Sequence, residues 1–185
     1  MAVGFVSAKY KIKDIPVKAA AEYPSHQSLQ NIVIGAEAFD RQDEILSAFD
    51  TKKLHEKGIM PVFVVVENNN EFAIRISGKD IYLNDAGHNY PSLPYTRVLL
   101  SIAKKKKSTY PIHDDIFLGQ LKNKNMVADF ERKDFGERLI PPHGSDSGVV
   151  FFEWLQLQDD TRIYISNITN LDSQESLMFF EFPLQ

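Results

Sequence analysis

The stretch GIMPVFVVVENNNEFAIRI, Gly58 to Ile76, decides the fold class. Side chains alternate across a strand, so Val62, Val64 and Val66 share one face and Phe63 and Val65 the other. Both faces are apolar. In the following run, Phe72, Ile74 and Ile76 alternate with Ala73 and Arg75, the pattern of a strand buried on one side. Asn68, Asn69 and Asn70 tolerate the left-handed backbone of a tight turn, so the whole reads as a hairpin. One face of the first strand can meet an opposing sheet. The other needs a lid.

Two stripes at helical spacing have no other evident home. Asp40 is a candidate N-cap, Asp43 and Glu44 suit a first helical turn, and Ile45, Leu46 and Phe49 fall on one face. A further helical turn through Leu54 stops at Gly58. Val98, Leu99 and Ile102 follow Pro94, which favours a helix start. That segment runs into Lys104, Lys105, Lys106 and Lys107, cations favoured at a helix C-terminus. At least one of these helices is expected on the Phe63/Val65 face.

Asn31 to Phe39 reads as a strand with Ile32 and Ile34 on one face. Ile81 and Leu83 mark another, and Gly148 to Gln156 is a second strand apolar on both sides. RIYISNI and SLMFFEFPL alternate and are expected to pair across the loop near Asp172 and Ser173. Residues 1–30 read as an N-terminal arm or first strand, with EYPSHQS as a loop. Residues 86–125 form a long irregular insertion, part of which is expected to pack on the sheet. Roughly seven or eight strands, with one or two short helical insertions, predict a mainly β fold. Its expected form is an immunoglobulin-like antiparallel β-sandwich, one domain over residues 1–185.

A chain of 185 residues has no need of a disulfide or metal to fold, and it contains no cysteine. That excludes zinc–thiolate sites and cysteine nucleophiles. A net charge of −4 with both signs dispersed gives no overall pull toward nucleic acid or anionic lipid. The longest apolar run, Ile59 to Val66, is far short of a bilayer span. The opening MAVGFVSAKYK lacks the apolar core of a signal peptide. Two locations stay open: the cell envelope, if a signal segment was removed ahead of this chain, and the cytoplasm, if Met1 is the natural start.

Several motifs carry candidate chemistry. His143, Ser145 and Asp146 share the loop PPHGSDSG, but a nucleophile elbow needs serine centred between its glycines, and here Asp146 is central. The simpler reading is a rigid proline turn feeding a buried strand. His113, Asp114 and Asp115, with His88, Asp85 or His143, contain hard metal ligands at no recognised spacing. Lys104 to Lys107, echoed by Lys122 and Lys124, are the candidate ligand- or partner-binding residues. They suit phosphates or anionic headgroups, and without interleaved aromatics they do not suit nucleic acid. Phe151, Phe152, Trp154, Phe179, Phe180 and Phe182 stand at strand spacing, where aromatics serve as core and cross-strand pairs.

Two of these stretches together carry a family resemblance: AFDTKKLHEKGIMPVFVVVENN, Ala48 to Asn69, and IPPHGSDSGVVFFE, Ile140 to Glu153. The pair resembles uncharacterised bacterial envelope proteins, many of them lipoproteins, built on an immunoglobulin-like sandwich. The resemblance covers about residues 36–155. It brings no catalytic residue, cofactor or metal. It implies an envelope location on the periplasmic side, with another envelope protein as partner and membrane contact only through a lipid anchor absent from this chain. The expected function is thus a non-enzymatic binding or assembly module. The alternatives are a carrier of small apolar or lipid ligands between sheet and helices, and a hydrolase using the His143/Ser145/Asp146 loop.

Overall fold

A computed structural model describes residues 10–103, 123–153, 157–177 and 179–185. In chain order its strands are β1 (Ser25–Leu29), β2 (Ile32–Ala38), β3 (Ile59–Asn68), β4 (Ile74–Ser77), β5 (Ile81–Asp85), β6 (His88–Pro91), β7 (Glu137–Ile140), β8 (Ser145–Glu153), β9 (Arg162–Ile165), β10 (Thr169–Asn170) and β11 (Phe180–Pro183). The helices are α1 (Gln42–Ala48), α2 (Lys53–Glu56), α3 (Tyr95–Ile102) and α4 (Lys124–Lys133). A major sheet runs β1-β2-β3-β8. Facing it are a three-stranded sheet, β10-β4-β7, and a four-stranded sheet, β11-β9-β5-β6. All neighbours are antiparallel, giving the mainly β sandwich of the expected class.

The two faces of β3 account for both cores. Met60, Val62, Val64 and Val66 pack with Ile74, Ile76, Ile81, Leu83, Ile163 and Ile165 of the facing sheets. Ile59, Phe63 and Val65 pack with Ile45, Phe49, Val98, Leu99, Ile102 and Phe130 of the helical layer. Both helical stripes therefore supply the missing lid. β8 repeats the arrangement, with Val150 and Phe152 in the first core and Val149 and Phe151 in the second. The expected pairing of the last two strands is also present, with Phe180 opposite Ile165 and Phe182 opposite Ile163.

The asparagine turn is a different object from the hairpin expected. β4 does not pair with β3; the chain leaves the major sheet at Asn68 and enters the facing one. Asn68 is fully buried. Its Nδ2 donates to the carbonyls of Phe72 at 2.8 Å and Pro141 at 3.0 Å, and its Oδ1 accepts from Asn70 N–H at 3.2 Å. The side chain thus satisfies backbone groups that a strand switching sheets leaves unpaired. Asn68→Ala is expected to cost about 2–3 kcal/mol in urea unfolding, because those groups stay buried without partners.

The left-handed turns lie elsewhere. Gln30 and Asn31, with φ of 49° and 58°, form the two-residue turn between β1 and β2. Ala86 and Gly87, at 47° and 81°, join β5 to β6. Ser25 to Leu29, most of it read as loop within a segment expected as an arm or first strand, is a strand. α1 is entered at Arg41 rather than Asp40: Arg41 N–H donates to Glu44 Oε2 at 3.1 Å. α4 was not anticipated from the sequence. Two of its four buried residues, Asp129 and Lys133, are ionic, which hides its apolar stripe.

Candidate binding cleft

β8 is an edge of the major sheet, and an edge leaves carbonyls to be satisfied. Two segments cover it. Leu93 N–H donates to Phe151 O at 2.7 Å, and Phe135 N–H donates to Val149 O at 3.0 Å. The turn at Gly78 ties these covers together: Gly78 N–H donates to Gly136 O at 2.6 Å, and Ser92 Oγ donates to Gly78 O at 2.9 Å. Between the covers lies a cleft of about 200 Å³, with Leu93, Pro94, Phe135, Val149 and Val150 as walls and Ser77, Lys79 and Asp134 as polar groups.

Glycine makes the close approach on β8 achievable. A Cβ on Gly148 would stand 2.6 Å from Phe135 Cα and 3.1 Å from Lys133 O. Both obstacles are backbone, so no side-chain rotation relieves them. Gly136 takes a φ of 50°, where a side chain is strained. Gly148→Ala is expected to lose about 1–3 kcal/mol in thermal or urea unfolding by pushing the Asp134–Gly136 segment off β8.

A second cleft of about 410 Å³ adjoins the first, sharing Ser77 and Lys79, and is lined also by Arg75, Glu137, Asn167 and Thr169. It lies on the outer face of β10-β4-β7, where Thr169, Arg75 and Leu139 form one cross-strand row and Ser77 and Glu137 the next. Asn167 Nδ2 donates to Asp80 Oδ1 at 2.9 Å, which fixes the floor. Leu139, within the first row, is 62% exposed. Together the clefts form one groove around the turn Ser77–Asp80.

Asp134 follows the last turn of α4, its N–H donating to Phe130 O at 2.9 Å. Carbonyl ends gather there and disfavour negative charge. Burial pushes its carboxyl above the usual aspartate value, against the opposing effects of the Arg138 charge and the Gly136 N–H. Arg138 is committed elsewhere: its Nη2 donates to Asp134 O at 2.7 Å, its Nε lies 3.3 Å from Asp146 Oδ2, and it sits over the Phe135 ring.

The described residues among the sequence candidates for catalysis or metal binding lie apart from this groove. His143 Nε2 faces Glu71 Oε1 at 3.2 Å, Ser145 is exposed in β8, and Asp146 faces Arg138. His143 and Asp146 engage different partners, and residues 145–147 belong to the strand rather than to a loop. Asp85 accepts from Thr161 Oγ1 at 3.0 Å, and His88 is exposed on the edge strand β6. Among the described residues no three His, Asp or Glu side chains gather to hold a metal ion. Lys104 to Lys107, His113, Asp114, Asp115, Lys122 and Trp154 lie outside the described residues.

The interface between sheet and helices is filled by rings. Phe130 stacks on Phe151 at 5.6 Å, and Phe49 contacts both at 4.8 and 5.8 Å. Phe152, Phe180 and Phe182 are buried as expected of core aromatics. Phe179 instead stacks on Tyr164, and Tyr164 on Tyr82, along the outer face of the β11-β9-β5-β6 sheet.

Sequence reasoning missed the groove because its parts come from five separated segments. The available signals were Asp134 at a helix end that prefers cations, and Gly148 entering a strand it weakens.

Architecture and groove thus define an antiparallel sandwich with a helical cover and a polar cleft at its covered edge. No family model matches the chain, and no curated protein matches it. Among solved structures it is similar to a "putative lipoprotein" (ycdA) from Bacillus subtilis, with 9% identity and a TM-score of 0.44 over 85% of this chain. The chain spans 38% of that neighbour's length. It is also similar to a structural-genomics target, SoR45, with 9% identity and a TM-score of 0.32, over 85% of this chain and 90% of that one. No helix among the described residues is long and apolar enough to cross a membrane.

Proposed function

We propose that this protein is a non-enzymatic binding or assembly module of the bacterial cell envelope, and that it holds its partner, another envelope protein, in the groove around Ser77–Asp80. The observation that carries the reading is the construction of the groove. Its rim is fixed by backbone hydrogen bonds from Leu93, Phe135 and Gly78 before any ligand arrives. Its lining presents ligand-holding groups: the Arg75 and Lys79 cations, hydroxyls at Ser77 and Thr169, and the Asn167 amide. A rigid concave site with convergent polar groups on an apolar base is the common form of a ligand site. Preorganisation of this kind lowers the ordering cost of binding. The envelope location rests on the resemblance carried by residues 48–69 and 140–153.

Co-sedimentation with an envelope fraction of the source bacterium tests this. Wild-type protein should associate saturably, and Ser77→Trp, which places an indole where the two clefts join, should abolish the association with the unfolding midpoint unchanged. Retention of the variant equal to wild type would remove the groove from the function, and association with the cytosolic fraction alone would remove the envelope.

A further inference from the structure

We infer that the inner cleft, between β8 and the Gly78 turn, is a site for an aliphatic primary ammonium group, received by the carboxylate of Asp134. The proposal rests on the groove being the binding face and names the chemistry of its inner half.

Asp134 lines a cleft with the apolar Leu93, Pro94, Phe135, Val149 and Val150, where Ser77, Ser92 and Lys79 are the other polar side chains. No ammonium or guanidinium nitrogen lies within ion-pair distance of its carboxylate among the described residues. The Gly136 N–H favours its charged form. A carboxylate has about four acceptor sites, so most of its capacity is unused. Arg138 is the nearest cation, and it spends its guanidinium on Asp134 O, Asp146 and the Phe135 ring. A half-buried acid at a helix C-terminus costs the fold, and a cation arriving from outside relieves that cost. Burial raises the carboxyl in the same sense, and the Arg138 charge offsets only part of that shift.

Size and shape narrow the class. At about 200 Å³ the cleft is below the range of drug-sized ligand sites. It suits a short alkyl chain ending in one charged head, which matches apolar walls with a single acid. The fixed positions of Gly78, Gly136 and Gly148 hold the backbone that carries the acid, so little backbone ordering remains for the ligand to impose. Lys79 at the mouth repels a like charge, which makes it a tuning residue.

The test is a titration of ¹⁵N-labelled protein with n-butylammonium chloride, compared at equal concentration with n-butanol and sodium butyrate. The amides of Gly78, Phe135, Gly136 and Val149 should move saturably with the ammonium alone. Asp134→Asn, which keeps an acceptor for Gly136 N–H, should weaken binding about tenfold or more, the worth of a charge-assisted hydrogen bond. Lys79→Gln should tighten it a few-fold by removing a like charge. A lysine blocked at both backbone ends is a second probe: binding of it assigns a peptide lysine, and binding of butylammonium alone assigns a free amine. Equal shifts with butanol, or unchanged affinity in Asp134→Asn, would overturn the proposal. The butanol comparison uses wild-type protein and holds even if a variant fails to fold. Loss of ammonium binding beside retained, Ser77→Trp-sensitive envelope association would overturn this inference and leave the groove standing.

Discussion

Asp129→Ala is expected to destabilise the fold by about 3–5 kcal/mol, because it strands a buried cation. Asp129 is fully buried and accepts from Tyr10 O–H at 2.7 Å and from Lys133 Nζ at 2.7 Å. Lys133 also donates to Ala48 O at 2.6 Å and lies over the Phe49 ring. Burial holds its ammonium below the usual lysine value, with Asp129 opposing that shift. Burial likewise raises the Tyr10 hydroxyl, and Asp129 adds to the effect. The carboxylate therefore joins α4, the end of α1 and the N-terminal segment at one point. Urea unfolding with a constant m-value checks the magnitude. Exchanging Asp129 and Lys133 together for leucine and methionine should recover most of the loss, since a well-packed apolar pair replaces a desolvated ionic one. A single Asp129→Ala loss under about 1 kcal/mol would mean that the site is wet rather than buried.

Phe151→Ala is expected to cost a similar amount, about 3–5 kcal/mol, through a cavity between sheet and helices. Phe151 is fully buried and touches Phe49 and Phe130 from different helices or their ends. Rigid neighbours on β3 and α4 cannot collapse into the space. Phe179 supplies the contrast. It is 48% exposed and stacks only on the outer face, so Phe179→Ala should stay within about 1 kcal/mol. The same unfolding series on both variants separates core rings from surface rings.

These two residues also mark what a linear reading reaches. Alternation on β3 and β8 is dictated by burial on both faces, so a helical lid was legible from Val62, Phe63 and the stripes at Ile45 and Val98. Asn68 to Asn70 was legible as a place where the chain turns. Its destination was not, because an asparagine that caps three backbone groups at a corner looks the same in sequence as one in a left-handed hairpin turn. Gln30-Asn31, the real hairpin turn, carried no glycine to announce it. α4 escaped because Asp129 and Lys133 occupy core-facing positions and break the apolar period. The groove is a product of topology: Ser77, Leu93, Asp134 and Val149 meet only after β8 has been covered at its edge.

Under the proposed function, this groove carries recognition, rather than the helical layer or the aromatic row on the outer sheet. Amide mapping of labelled protein against a detergent-solubilised envelope extract tests that most directly. Saturable shifts should cluster at residues 75–80, 134–137 and 167–169. Shifts centred instead on Tyr82, Tyr164 and Phe179, or on α1 and α3, with the groove amides unmoved, would contradict it.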